Sequence, residues 1–219
     1  MARPRKDGTV AGADERLVEA FWDLLEEMPV RDVSVGALAR RAGCNRGTFY
    51  YHFPSLDELV SRAVLGEVAG RDRFLERMAK LACGATEQDY ARVLASPSAA
   101  RIALLVERGG RTELASVAMP FAMGMWTELL APGGTLEPEA AATVAFMING
   151  LVGMLTGARS LPVPPGCDRR AAAARMAASC DGAVRLLLSE ACRAQGADEA
   201  VVRARLRSLD LGRDGGRRR

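Results

Sequence analysis

The run Asn45-Arg46-Gly47-Thr48 carries the most specific chemistry in the chain. Arg46 offers a planar fork of donors able to make two parallel hydrogen bonds to guanine, Thr48 can meet a base edge or a thymine methyl, and Gly47 lets backbone approach a base closely. Tyr50, Tyr51 and His52 follow, aromatic bodies with polar tips suited to packing while hydrogen-bonding phosphate oxygens. For Tyr50 and His52, ordinary core packing is the alternative. Between Val33 and Leu56 stand Arg40, Arg41 and Arg46 but no Asp or Glu, whereas the preceding segment holds Glu15, Glu19, Asp23, Glu26 and Glu27. Phosphate attracts guanidinium and repels carboxylate, so a basic face set against an acidic one suits nucleic acid. All but two of the 30 basic residues are arginine, so a chance gap in an arginine-rich chain would look the same by charge alone.

Signatures of catalysis fail by elimination. A phosphate-binding Walker loop needs Gly-Lys, but the two lysines, Lys6 and Lys80, follow Arg5 and Ala79. No pair among the 22 glycines has the G-x-G spacing of a dinucleotide fingerprint, and no G-x-S-x-G elbow occurs. His52 is the sole histidine, which excludes a two-histidine metal site within one chain. Cys44, Cys83, Cys167, Cys180 and Cys192 show neither C-x-x-C nor close pairing and read as reduced thiols. The expectation is no enzyme, no catalytic residue, no metal and no cofactor.

The elements that must position these residues are helices. Asp14 opens one with Leu17, Phe21, Leu24, Leu25 and Met28 on its apolar face, and Pro29 stops it. Ser34 is a good N-cap for a short second helix presenting Val35, Leu38 and Ala42, which Gly43 ends as a left-handed C′ residue. Asn45 can cap a third helix through His52, with Pro54 blocking its continuation. Two short helices joined by a Gly-x-x turn form a helix-turn-helix, whose second helix lies in the major groove. Ser55-Leu56-Asp57-Glu58 reads as a capping box opening a fourth helix. Its stripe of Leu56, Leu59, Val60, Ala63, Val64 and Val68 runs to about Leu81 and predicts a rigid connector to the remainder. Further helices are expected near 87–95, 98–108, 111–130, 138–159, 169–194 and 198–210, separated by proline and glycine breaks that include Leu161 to Gly166. No strand pattern and no internal repeat competes.

With 219 residues, 49% hydrophobic, 26% charged and only 5% aromatic, the chain suits one domain or a small domain joined to a larger one, and it is all-α. A net charge of +3 decides nothing by itself. The uncharged run Ala140 to Ala158 is 19 residues long, just past the roughly 18 that a membrane span needs at minimum, and contains Gly153-x-x-x-Gly157. Thr143, Asn149, Thr156 and many small residues dilute its hydrophobicity, so a buried helix of a soluble fold is expected, a membrane-associated protein being the alternative. The charged N-terminus lacks the apolar run of a secretory signal, which predicts a cytoplasmic protein.

The elements Ala39-x-x-Ala42-Gly43, Gly47-Thr48-Phe49-Tyr50-Tyr51-His52-Phe53 and Ser55-x-x-Glu58-Leu59 are specific at these spacings. Over about residues 14 to 65 the chain resembles the DNA-binding domain of TetR/AcrR-family transcriptional regulators. The resemblance implies a three-helix reading head and an all-helical domain that dimerises through its last two long helices and holds a small effector. It implies base-facing positions at Arg46, Gly47 and Thr48, and phosphate contacts at Ser34, Tyr50 and His52. Leu56 stands where the family usually has a backbone-contacting Lys, and Gly36 where some relatives place a base-reading side chain.

The expected organisation is a basic flexible arm (1–13), a helix-turn-helix domain (14–54), a helical effector-binding and dimerisation domain (55–211) and a disordered basic tail (212–219). Met119, Phe121, Met123, Met125 and Trp126 cluster on one helix, with Phe146, Met147 and Met154 on another. Met119, Met123, Trp126, Phe146 and Met147 are candidate pocket residues, although Met and aromatics at helical spacing also build ordinary cores. Close packing at Gly150, Gly153 and Gly157 is expected where helices 138–159 and 169–194 meet a second copy. The chain therefore reads as a homodimeric regulator, a repressor binding double-stranded DNA at a near-palindromic operator and released by a small molecule of unknown identity. A stand-alone small-molecule-binding bundle is a further alternative.

Overall fold

The structure, a computed structural model, describes residues 12–70, 73–157 and 168–209. The arm through residue 11, the proline-rich stretch 161–166 and the tail 212–219 lie outside the described residues. Those described form twelve α-helices and one 3-10 turn, with no strand among them.

The reading head is built on α1 (Ala13–Glu27), α2 (Val35–Arg41) and α3 (Arg46–His52). The backbone N–H of Gly12 donates to Glu15 Oε2 at 3.2 Å to close the first turn of α1, and Pro29 leads into the 3-10 turn Val30–Asp32. Leu17, Phe21 and Leu25 of α1 meet Leu38 of α2 and Phe49 of α3 in a core that excludes water from all five. Each such side chain contributes about 1.5–3 kcal/mol, so the apolar spacing read along α1 holds three short helices that could not persist alone.

The fourth helix, α4 (Leu56–Ala69), starts where Ser55 Oγ accepts the Glu58 N–H at 3.1 Å. It does not run to Leu81 as the stripe suggested: it ends at Gly70, and a separate helix, α5 (Phe74–Leu81), follows. A Cβ at Gly70 would lie 1.9 Å from the Gly66 carbonyl oxygen, so only glycine fits this fold-back, and Arg73 enters α5 in the left-handed region at φ 46°. The apolar stripe continues across the break because α5 turns its own buried face, Phe74, Leu75 and Met78, into the same core.

The body comprises α6 (Glu87–Leu94), α7 (Pro97–Glu107), α8 (Arg111–Leu130), α9 (Pro138–Gly157), α10 (Arg169–Ser179), α11 (Asp181–Gln195) and α12 (Glu199–Ser208). The single helix expected over 169–194 is two. Ser179 turns its hydroxyl back to the carbonyls of Arg175 and Met176, and Asp181 is drawn into a tertiary contact, accepting the Ala85 N–H at 2.9 Å. Cys180 is the hinge between them.

α4 packs on α1 and on α8, α9 on α11, and α10 on α6. One continuous apolar core runs from Leu17 to Leu206. In the uncharged run Ala140 to Ala158, Val144, Met147 and Ile148 face this core and Ala140 is buried, and no helix among the described residues is long and apolar enough to cross a membrane.

Candidate nucleic-acid interface

The turn between α2 and α3 is made by hydrogen bonds that need a left-handed residue. Cys44 N–H donates to Ala39 O at 2.9 Å and Gly43 N–H to Arg40 O at 3.2 Å, the paired pattern of a Schellman C-cap, with Gly43 at φ +65°. Asn45 then caps α3, its Oδ1 accepting the Thr48 N–H at 2.8 Å and the Thr48 hydroxyl at 3.2 Å. A Cβ at Gly47 would come within 3.1 Å of that same oxygen, so the glycine protects the cap as well as leaving backbone open.

α3 has two faces. Phe49 is buried and stacks edge-on with Tyr50 at 5.2 Å, while Phe53 closes the end of the helix against the core. Arg46, Gly47, Tyr50 and Tyr51 lie on the outer face, Tyr50 58% and Tyr51 85% exposed. His52 is half-buried with its ring edge-on to Tyr51 at 5.0 Å. Ser34 is exposed and caps α2 by accepting the Ala37 N–H at 3.2 Å, which leaves its hydroxyl hydrogen available to an acceptor. Thr48 is half-buried with its hydroxyl donated to the Asn45 cap, so its methyl and lone pairs are what it can offer outward. Ser34 at the start of α2 and Arg46, Gly47, Tyr50 and His52 along α3 are all at least partly exposed.

The charge pattern needs one correction. Arg41 does not add to the basic face: its Nη2 donates to Glu27 Oε1 at 2.5 Å and its Nη1 lies 3.9 Å from Asp23 Oδ2, both on α1. Glu27 holds the Arg41 guanidinium above its ordinary range. The acids of α1 therefore serve partly as internal partners, and Arg40 and Arg46 remain as exposed cations on α2 and α3. Tyr51, grouped by sequence with Tyr50 and His52 as an aromatic with a polar tip, is the most exposed large apolar side chain among the described residues. Its spacing of four from Gly47 on the outer face is the signal that marks it.

In the body, Trp126 lines a small apolar cleft of about 30 Å³ with Phe74, Met78, Met125, Ile148 and Val152. The other sequence candidates are not brought to it. Met119 and Met123 are half-buried elsewhere on α8, Met147 is packed in the core, and Phe146 is 69% exposed. The side chain of Met154 lies outside the described residues. Helical spacing groups residues along one helix, but the cleft is formed between α5, α8 and α9.

Residues 17–63 match the family model for bacterial regulatory proteins of the tetR family. The chain is also similar to the HTH-type transcriptional regulator EthR of Mycobacterium tuberculosis and of Mycobacterium bovis, 33% identical over 82 residues. That stretch covers 36% of this chain and 38% of those relatives. The head described above coincides with the matched region, so it is the N-terminal part of this chain that is similar to the tetR family of bacterial regulatory proteins.

Proposed function

We propose that the protein is a DNA-binding transcriptional regulator, a repressor that binds a near-palindromic operator as a homodimer and is released by a small-molecule effector. The observation that carries this reading is the outer face of α3: Arg46, Gly47, Tyr50 and Tyr51 stand exposed behind an Asn45-capped start, with no carboxylate on α2 or α3. Arg46 with Gly47 and Thr48 reads bases, and Ser34, Tyr50 and His52 anchor phosphates on either side. The place of action is the cytoplasm, where the DNA is.

Dimerisation is supported by a stripe on α9. Phe146, Gly150, Gly153 and Gly157 recur at i, i+4, i+7 and i+11, with Phe146 exposed and Gly150 and Gly153 open to solvent. The surroundings of Gly157, the last residue of α9, lie outside the described residues. Leu186 on the neighbouring α11 is 72% exposed. Two such copies would form a four-helix interface and set two heads on half-sites roughly 34–36 Å apart or a multiple of that. The effector site is the apolar cleft at Trp126, which must widen beyond its present volume to take a ligand larger than water.

Selection of bound sequences from random double-stranded DNA tests this directly. A two-fold-symmetric consensus is expected, with Arg46→Ala relaxing base preference at one position per half-site by about 1–3 kcal/mol and Tyr50→Phe weakening every sequence alike. Enrichment of no sequence, with ligands still raising the melting temperature, would point instead to a stand-alone binding bundle.

A further inference from the structure

Arg46, the first residue of α3, folds its side chain back over the start of α2. A Cβ built on Gly36, the second residue of α2, would lie 2.9 Å from Arg46 Nη2, 3.5 Å from Nε and 3.6 Å from Cζ. Ordinary contact to a Cβ begins near 3.4 Å, so a methyl at position 36 would press on the Nη2 end of this flexible guanidinium and shift it by about half an ångström. The placement is not electrostatically comfortable. The first turn of α2 carries no acid, its N-terminal dipole end repels a cation, and no carboxylate among the described residues pairs with Arg46. A fork held there, exposed and unneutralised, is poised to gain from an acceptor arriving from outside.

We propose that Gly36 is a positioning residue for DNA recognition. By presenting no side chain it lets the Arg46 guanidinium lie across the α2–α3 junction, so that one arginine from α3 reads the guanine edge beneath that junction. This rests on the DNA-binding reading above and adds to it a residue that need not touch DNA. The physical cause is exclusion of volume: a methyl at 36 displaces the Nη2 end of the guanidinium by about half an ångström, and a bidentate contact to O6 and N7 of guanine depends on how that fork is set.

The test is selection from random DNA with four proteins, wild type, Gly36→Ala, Arg46→Ala and the double variant, each with its melting temperature and salt dependence. Gly36→Ala should lose discrimination about five- to hundredfold at the same base position as Arg46→Ala, the range a good bidentate contact supplies. The double variant should match Arg46→Ala alone, and the salt slope of Gly36→Ala should equal that of wild type. Alanine is the better helix former, so Gly36→Ala should melt no lower than wild type. The Arg46→Ala background isolates any effect of the methyl on folding, because no guanidinium is there to displace. Unchanged base preference in Gly36→Ala, a change at another position, or additive losses in the double variant would overturn the proposal while leaving DNA binding intact. Failure of the wild type to select any sequence would overturn both.

Discussion

Arg101 on α7 donates from Nη1 to Glu67 Oε1 on α4 at 2.9 Å, and the same guanidinium reaches Glu19 on α1, so one cation joins the head to the body. Its Cζ also sits 5.4 Å from the Trp22 ring centroid, and Ser98 donates to the other Glu67 oxygen at 2.7 Å. Next to this latch, Arg108 Nη2 donates to the Glu26 carbonyl at 2.5 Å and Val30 N–H to the Arg108 carbonyl at 2.9 Å. Glu67 is only 12% exposed, so Arg101→Ala leaves a carboxylate with Ser98 as its remaining partner. Losing one partner of a buried pair costs about 3–5 kcal/mol, and the partial exposure of Arg101 reduces the expected loss to about 1–3 kcal/mol. Urea denaturation should show that loss, and Glu67→Gln in the Arg101→Ala background should restore part of it. Equal stability of Arg101→Ala and wild type would mean that the latch carries no net energy.

Leu56 occupies the first position of α4 and is half-buried against the core, so the residue that replaces the family's usual cation here packs. Leu56→Lys is expected to lower stability by about 1 kcal/mol, less than a full truncation because the lysine stem can cover the same surface. If the start of α4 docks on the backbone, the variant should also steepen the salt dependence of DNA binding by about one unit per added phosphate contact. Affinity measured against salt, beside thermal melting, separates the two effects. An unchanged slope would move the start of α4 off the phosphates.

Among the described residues nothing lies within 4 Å of a Cβ added at Gly150 or Gly153. Gly153→Arg is therefore accommodated within one protomer and improves helix propensity by up to about 1 kcal/mol, so its effect reports on assembly. Monomers by light scattering and loss of operator binding are expected. A persistent dimer would place the interface on another face.

Tyr90 is buried and its hydroxyl has no hydrogen-bond partner among the described residues. Burial, with the negative field of Asp181 and Cys180, pushes it up to about 12, against about 10 in an unfolded chain. Above pH 10 the unfolded chain gives up this proton while the folded protein keeps it. The stability it contributes is therefore full below pH 10 and falls between pH 10 and 12, by about 2–3 kcal/mol over the whole interval. Tyr90→Phe should match or exceed wild-type stability at pH 7, because no hydrogen bond is lost, and should lose less between pH 8 and 11 by urea midpoint. Identical alkaline profiles would place the titration elsewhere.

Much of the head was legible along the chain because its determinants are local. Ser34, Asn45 and Ser55 each cap the helix that follows within three residues, Gly43 and Cys44 close a turn by donating to Arg40 and Ala39 respectively, and the spacing from Leu17 to Leu25 orients α1 before any partner is known. The acid-free run that contains Arg46, Tyr50 and Tyr51 is equally a property of the string. Only the tertiary structure decided what crosses between distant segments. The break at Gly70 depends on where α5 packs, and the hinge at Cys180 depends on Asp181 meeting Ala85. The pairing of Arg41 with Glu27 and of Arg101 with Glu19 and Glu67, and the cleft shared by Phe74, Trp126 and Val152, likewise join residues far apart in sequence. Caps and apolar periodicity act through neighbours within about one helical turn, so the chain order encodes them directly. Ion pairs, clefts and helix breaks between remote segments depend on how the helices pack, which no local spacing records.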